Sequence, residues 1–361
     1  MSPKILAKLA KGFTALVPAL LLAECTVGPD YERPPVAVPD TFRSQAGPSG
    51  ESIADQAWSN VFVDKALADL ITVALHNNYD LQIAVARIKQ AREIVTEVQS
   101  EGLPQIGYQA FGGGEKTIVA GQNNVTSTTY GTFGGLLTAV WEADIWGRIR
   151  RSTESAQANL LGQEDVRRGV MLTLVSDLAA GYYQLIELDR ELGIANESVA
   201  TYKKTLDLFT DRYKAGKDSE LPVTRTEGLY NASIANVSIL KRKIEQQENA
   251  LSVLAGLTPA PIARGRSLVE QQLPPTPLGA TTELLRRRPD ILQAEQGMIS
   301  ANAEVGVAVA NFYPQLGLSA LVGGQGVGIA GALHGFSLWS AGMNLVGPIF
   351  TAGRLEAHAG R

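Results

Sequence analysis

The chain of 361 residues holds one cysteine, Cys25, so no intramolecular disulfide forms and stability must come from packing. Its three histidines, His76, His334 and His358, lie far apart without the paired spacing of a metallohydrolase helix. The glycine runs Gly112 to Gly114 and Gly323-Gly324 lack the Lys-Ser/Thr of a phosphate loop. The sequence therefore offers no catalytic residue, no metal ligand set and no cofactor site, and it is not expected to be an enzyme. Beyond residue 23 no apolar run approaches the ~18 residues of a membrane helix, so any membrane crossing must use strands. A basic excess is missing as well. The net charge is −4, and removal of residues 1–24, with three Lys and one Glu, takes it to −6, which argues against nucleic acid as a partner.

Small residues and punctuation are plentiful, with 36 Gly and 17 Pro, a balance that suits hairpins and close backbone approach. Lys4, Lys8 and Lys11 precede an apolar run over 13–23, too short to span a bilayer as a helix, so residues 1–24 are expected to be an export signal. Cys25 follows at the processing position and is the expected lipidation site. Prolines 29, 34, 35, 39 and 48 then mark an extended arm over 25–60.

A stretch of the chain recurs about 210 residues later. Asp80, Ala84, Ala91, Val95, Pro104, Gln105 and Gly107 reappear as Asp290, Ala294, Ala301, Val305, Pro314, Gln315 and Gly317. Val140, Gly147 and Arg148 reappear as Val346, Gly353 and Arg354. So long a period does not fit a solenoid of short units and indicates a duplicated helix, β-hairpin, helix unit. The first copy is expected over 61–258, a linker rich in proline over 259–278, and the second copy over 279–361.

In the first copy the pattern predicts helices from about 63 and over 80–101, then strands over 105–119 and 127–141 around a polar turn at 121–124. Residues 148–214 contain no proline and predict one helix of ~100 Å. Leu192, Ala195, Val199, Tyr202, Leu206, Phe209 and Tyr213 form an apolar seam along its second half. Val223, Tyr230, Val237, Leu240, Ile244, Leu251 and Leu254 form a matching one on a returning helix, giving a helical hairpin over 148–256. The second copy predicts a hairpin over 314–346, after which a second helical pair would be expected. Only seven residues follow Arg354, so the sequence is expected to be truncated at its C-terminal side.

The β-hairpins carry the membrane argument, since each strand has room for the ~10 residues of a tilted membrane strand. Trp141 and Trp146 beside Arg148 suit an interfacial girdle. Four strands do not close a barrel and open edges are not tolerated in lipid, so copies must assemble: two would give eight strands, three twelve.

The segments Cys25-Thr-Val-Gly-Pro-Asp-Tyr-Glu-Arg-Pro34, Trp141-Glu-Ala-Asp-Ile-Trp-Gly-Arg148, Arg212-Tyr-Lys-Ala-Gly216, Arg287-Arg-Pro-Asp290 and Gly347-Pro-Ile-Phe-Thr-Ala-Gly-Arg354, in this order and spacing, resemble the TolC/OprM-like outer-membrane efflux channels, in particular the lipoproteins of tripartite pumps. The resemblance implies a fold that is mainly α with membrane β: long antiparallel coiled-coil tunnel helices, and four strands contributed to a 12-stranded barrel of a homotrimer. It also implies a periplasmic adaptor and an inner-membrane pump as partners, and a lipid-anchored place in the bacterial outer membrane with the helices in the periplasm. The helix-hairpin tip, with Ala215, Gly216, Lys217, Ser219 and Leu221, would dock the adaptor. The competing expectation is a periplasmic, lipid-anchored coiled-coil adaptor or scaffold, which would not need two Gly- and Thr-rich hairpins at equivalent places in a repeat.

Overall fold

The computed structural model describes residues 26–37, 39, 58–120, 125–271, 284–327 and 336–360. The export segment, Cys25, most of the arm, the 121–124 turn and the linker prolines Pro274, Pro275 and Pro277 lie outside the described residues. The elements run α1 (Trp58–Val61), α2 (Lys65–Asn77), α3 (Tyr79–Ser100), β1 (Gln105–Ala120), β2 (Val125–Ala143), α4 (Arg148–Lys214) and α5 (Glu220–Leu254). After a 3-10 turn at Leu268–Glu270 come α6 (Leu284–Arg287), α7 (Pro289–Ala310), β3 (Gln315–Val327), β4 (Phe336–Val346) and α8 (Arg354–Ala359). The chain divides into two compact units, one built from 1–35, 88–162 and 293–361, the other from 36–87 and 163–292.

The first unit holds a single four-stranded sheet in the order β1-β2-β3-β4, every neighbour antiparallel. The two repeat hairpins are thus joined edge to edge through β2 and β3. The duplication extends to backbone geometry. Gly147 and Gly353 both adopt left-handed φ, 80° and 81°, and each leads into a helix, α4 and α8. Asp144 caps α4 by accepting from the backbone N–H groups of Ile149 (3.1 Å) and Arg150 (2.9 Å).

The second unit is a helical core. Leu67, Leu70, Ile71 and Ala74 of α2 lie among Leu178, Tyr182 and Leu185 of α4 and Leu251 of α5, all buried. The heptad seams are present: Leu192, Val199, Tyr202, Leu206 and Phe209 are half-buried and Ala195 is buried, facing Val223, Tyr230, Val237, Leu240 and Ile244. Tyr213, expected in the seam, is 45 % exposed, because it stands in the last turn before the chain reverses. Polar seam positions are satisfied locally or across the pair. Thr226 donates to the Pro222 carbonyl (2.8 Å) and Gln247 to the Gly181 carbonyl (2.9 Å). Helix α4 contains an 18-residue window apolar enough to cross a membrane. Of that helix, Leu174, Leu178, Tyr182, Leu185 and Ile186 are buried in this core.

Asp64 organises the loops around that core. It is 2 % exposed and accepts from the backbone N–H groups of Ala66 (2.9 Å), Leu67 (3.4 Å) and Arg266 (2.9 Å) and from the Gln271 amide (2.8 Å). Asn78 joins two further elements, accepting from Leu81 N–H at the start of α3 and donating to the Leu254 carbonyl at the end of α5.

Candidate functional site

In an antiparallel sheet directly opposed residues share a face and neighbours along a strand alternate. The observed register therefore sorts the sheet into two faces. One carries the rows Tyr108–Leu137–Val322–Trp339, Ile106–Ala139–Ala320–Ala341, Trp141–Leu318–Met343 and Ala143–Leu316–Leu345. Every one of these side chains is apolar or aromatic, and Tyr108, Trp339 and Met343 are 86 %, 79 % and 71 % exposed. The other face carries Gly107–Thr138–Leu321–Ser340, Gln105–Val140–Ser319–Gly342 and Glu142–Gly317–Asn344, a mixed surface with amides and hydroxyls.

The apolar face has the height of a bilayer. From Ala143 to Phe133 the strand advances about 34 Å at ~3.4 Å per residue, and a tilt of ~40° reduces this to about 26 Å, close to the ~25 Å apolar band of membrane barrels. Two strand glycines are shielded by aromatics from the paired strand. Phe133 lies over Gly112 opposite it, where a Cβ would meet the ring at 2.8 Å, and Phe111 covers Gly134 in the same manner on the other face.

The three residues expected at the membrane interface gather where strands meet helices. Trp141 donates from Nε1 to the Gly102 carbonyl (3.0 Å). Trp146 donates to the Pro314 carbonyl (2.8 Å) and stacks on Tyr313 with ring centroids 4.6 Å apart. Arg148 grips Glu142 through two nitrogens, at 3.0 and 2.9 Å, and reaches Glu101 at 3.2 Å. The Trp146 bond and stack tie the two repeats together at the base of the sheet, while those of Trp141 and Arg148 brace the first repeat.

The residues after Cys25, expected as an extended arm, form a strap on the same junction. Val27 N–H donates to the Trp146 carbonyl (3.1 Å), Asn302 to the Pro29 carbonyl (2.9 Å), and Arg33 pairs with Glu295 (2.9 Å). Arg151, 4 % exposed, contacts the Val27 and Gly28 carbonyls and pairs with Asp30 (2.6 Å) and Glu154 (2.8 Å). Within the basic run at the start of α4, Arg151 could not be told from its solvated neighbours by sequence.

In the second unit the hairpin tip is a Schellman turn. Gly216 has φ 66°, its N–H donates to the Tyr213 carbonyl (2.9 Å), and Lys217 N–H donates to the Arg212 carbonyl (2.9 Å). Ala215, Gly216, Lys217 and Ser219 are exposed, Leu221 is 57 % exposed, and Arg212 pairs with Asp218 (3.1 Å). Among the described residues no cluster of His, Cys, Asp and Glu is arranged to hold a metal ion.

A four-stranded sheet apolar on one face across a bilayer's thickness and mixed with amides and hydroxyls on the other, in a chain that also holds a long helical hairpin, defines a membrane-barrel strand protein of the duct type. The chain belongs to the outer membrane efflux protein family, whose model matches residues 70–257 and 280–359. It is 28 % identical over 348 residues to the cation efflux system protein CusC of Escherichia coli O157:H7, covering 94 % of this chain and 74 % of the relative. It is 31 % identical over 353 residues to the solvent efflux pump outer membrane protein SrpC of Pseudomonas putida, with coverage of 94 % and 74 %. Among solved structures it superposes on the open state of the Neisseria gonorrhoeae MtrE outer membrane channel with a TM-score of 0.81, 27 % identity and coverage of 93 % and 75 %. The outer-membrane channel OprN gives 0.80, 28 %, and coverage of 93 % and 76 %. The protein is thus an outer-membrane channel component of an efflux system that extends into the periplasm, and the adaptor or scaffold alternative is set aside. Its family is one of transport ducts rather than enzymes.

Proposed function

We propose that the chain is one subunit of a homotrimeric passive duct, three copies of the four-stranded sheet closing a 12-stranded barrel, with a periplasmic adaptor and an inner-membrane pump completing the path. The two-faced sheet carries this reading. Its edge strands β1 and β4 each present one side of backbone N–H and C=O groups without a neighbour in this sheet, and lipid does not satisfy such groups. The exported solutes are small toxic organic compounds or metal cations, the classes in the names of the relatives. The duct performs no chemistry of its own.

In this reading Cys25 carries the lipid anchor, Trp141, Trp146 and Arg148 hold the sheet at the membrane interface, and Ala215, Gly216, Lys217, Ser219 and Leu221 receive the adaptor. The exposed Schellman turn supports the last assignment, since a rigid tip with open surroundings suits docking. Export signal 1–24, arm 25–60, first repeat 61–258, linker 259–278 and second repeat 279–361 are the corresponding segments. The test is restoration of efflux in a host lacking its own outer-membrane duct, with trimer measured by chemical cross-linking. Monomer in the outer membrane together with unrestored efflux would sink the reading.

A further inference from the structure

The four strands hold a single cation. Strands β1 to β4 contain no Arg and no Lys other than Lys116, and away from the junction with the helices their one acid is Glu115. These two neighbours separate by register, because successive residues of a strand lie on opposite faces. Lys116 pairs with Thr129 and falls on the apolar face, whereas Glu115 pairs with Tyr130 and falls on the other. A slip of one residue would exchange them.

The height of Lys116 on that face sets it against lipid headgroups. Beyond Trp141, toward the end away from the helices, the paired rows of β1 and β2 are Ile106–Ala139, Tyr108–Leu137, Ala110–Gly135, Gly112–Phe133 and Gly114–Gly131, none with a charge. The next two are Lys116–Thr129 and Ile118–Ser127, in which Lys116, Thr129 and Ser127 are exposed. A cation and two hydroxyls therefore stand together just past the apolar band. From Phe133 to Thr129 the strand rises about 10 Å at ~3.4 Å per residue and a tilt of ~40°. A membrane of ~40–45 Å around an apolar band of about 26 Å leaves roughly 7–10 Å of headgroup on each side. Lys116 thus lies at phosphate depth, within reach of its own flexible stem. Because the protein extends into the periplasm from its helical end, this far end meets the outer leaflet.

We propose that Lys116, with Thr129 and Ser127, is a contact site for the phosphate of an outer-leaflet phosphorylated glycolipid, one site per subunit. The inference rests on the duct reading above, which turns the apolar face to lipid. A phosphate monoester carries nearly two negative charges and three strong acceptor oxygens, so an ammonium and two hydroxyl donors match it better than they match the singly charged diester of a phospholipid.

The experiment uses the full-length trimer in neutral detergent and lipid A as the probe, with bound lipid counted by native mass spectrometry across a titration. Wild type should favour lipid A over its dephosphorylated form by about fivefold, the effect of one lysine at an anionic surface. Lys116→Gln should remain trimeric and lose that preference. Lys116→Gln combined with Thr129→Lys, which moves the cation across the row on the same face, should restore most of it. Lys116→Gln combined with Thr128→Lys, one residue along and on the other face, should not. A preference retained in Lys116→Gln, restoration by Thr128→Lys rather than Thr129→Lys, or phosphatidylglycerol bound as tightly as lipid A would each overturn the proposal. So would a wild type that does not distinguish the two forms of lipid A, a result that needs no variant to fold. A wild type that cross-links only as monomer would remove the duct reading itself, and it is recognised before any lipid is added.

Discussion

Gly28 of the strap lies against Gly306 of α7 backbone to backbone, so that a Cβ on Gly28 would stand 2.6 Å from the Gly306 Cα. Gly28 also holds φ 95°, a region that side chains other than glycine's rarely adopt. Strain and collision therefore act together at one position. Gly28→Ala is expected to cost about 2–4 kcal/mol of strap docking. Limited proteolysis would show earlier cleavage between residues 26 and 35 in the variant, and an unchanged pattern would contradict the contact.

Arg151 is the buried cation that holds the strap, yet Asp30 is 88 % exposed on its side chain and Glu154 37 %. Truncation would leave both carboxylates in water rather than orphaned in the interior, so the larger penalty of breaking a fully buried pair does not apply. Arg151→Ala should cost about 1–3 kcal/mol, the worth of its lost hydrogen bonds. Arg151→Lys should recover only part of this, because an ammonium does not reproduce the forked contact with two acids and two carbonyls. Hydrogen exchange at Val27 N–H, which bonds the Trp146 carbonyl, reads the effect directly.

Gly216 and Gly256 share a left-handed backbone, φ 66° and 69°, in two Schellman turns, but nothing lies within 4 Å of a Cβ at Gly216 whereas one at Gly256 would collide with the Asn77 carbonyl. Gly216→Ala should cost about 1 kcal/mol, the conformational strain alone. Gly256→Ala should cost at least ~2 kcal/mol more, because backbone must move. Thermal melts followed by circular dichroism would rank the two, and equal effects would refute the packing argument. If the tip docks the adaptor, a bulkier Gly216→Val should weaken adaptor cross-linking while leaving trimer intact.

Burial pushes the Asp64 carboxyl up, but hydrogen bonds from Gln271, Arg266, Ala66 and Leu67 outweigh it and hold the group below its ordinary value. A depressed folded-state value means that the ionised carboxylate stabilises the fold above the unfolded value of ~3.9. That contribution is lost as pH falls through the lower folded-state value. Asp64→Asn should cost about 2–3 kcal/mol at neutral pH, since the amide cannot accept all four bonds. The difference in Tm between wild type and variant should shrink as pH falls below the unfolded value. A difference that stays constant between neutral pH and that range would show that the charge is not what the four donors recognise.

Met343 stands 71 % exposed on the apolar face. Met343→Arg is expected to cost about 2–4 kcal/mol for a cation facing hydrocarbon. Its neighbour Asn344, on the opposite face, should accept Asn344→Arg with a far smaller loss of heat-stable trimer on a gel. The reverse ranking would exchange the two faces.

Local signals alone determined much of this protein. The absence of proline from 148 to 214 and the heptad seams gave α4 its full extent, and the Gly- and Thr-rich runs placed the strands to within a few residues, because hydrogen bonds close within a few positions in helices and tight hairpins. The resemblance of several motifs in order supplied the family. Long-range pairing was decided only in three dimensions. Asp64 gathers donors some two hundred residues away at Arg266 and Gln271, and no periodic pattern marks such a site. The pairing of β2 with β3, which brings the two repeats into one sheet and settles its faces, depends on chain closure rather than on either strand's composition. Even the repeat does not transmit burial: Ala84 is 3 % exposed while its counterpart Ala294 is exposed, since a residue's environment is set by what packs against it, not by the residue itself.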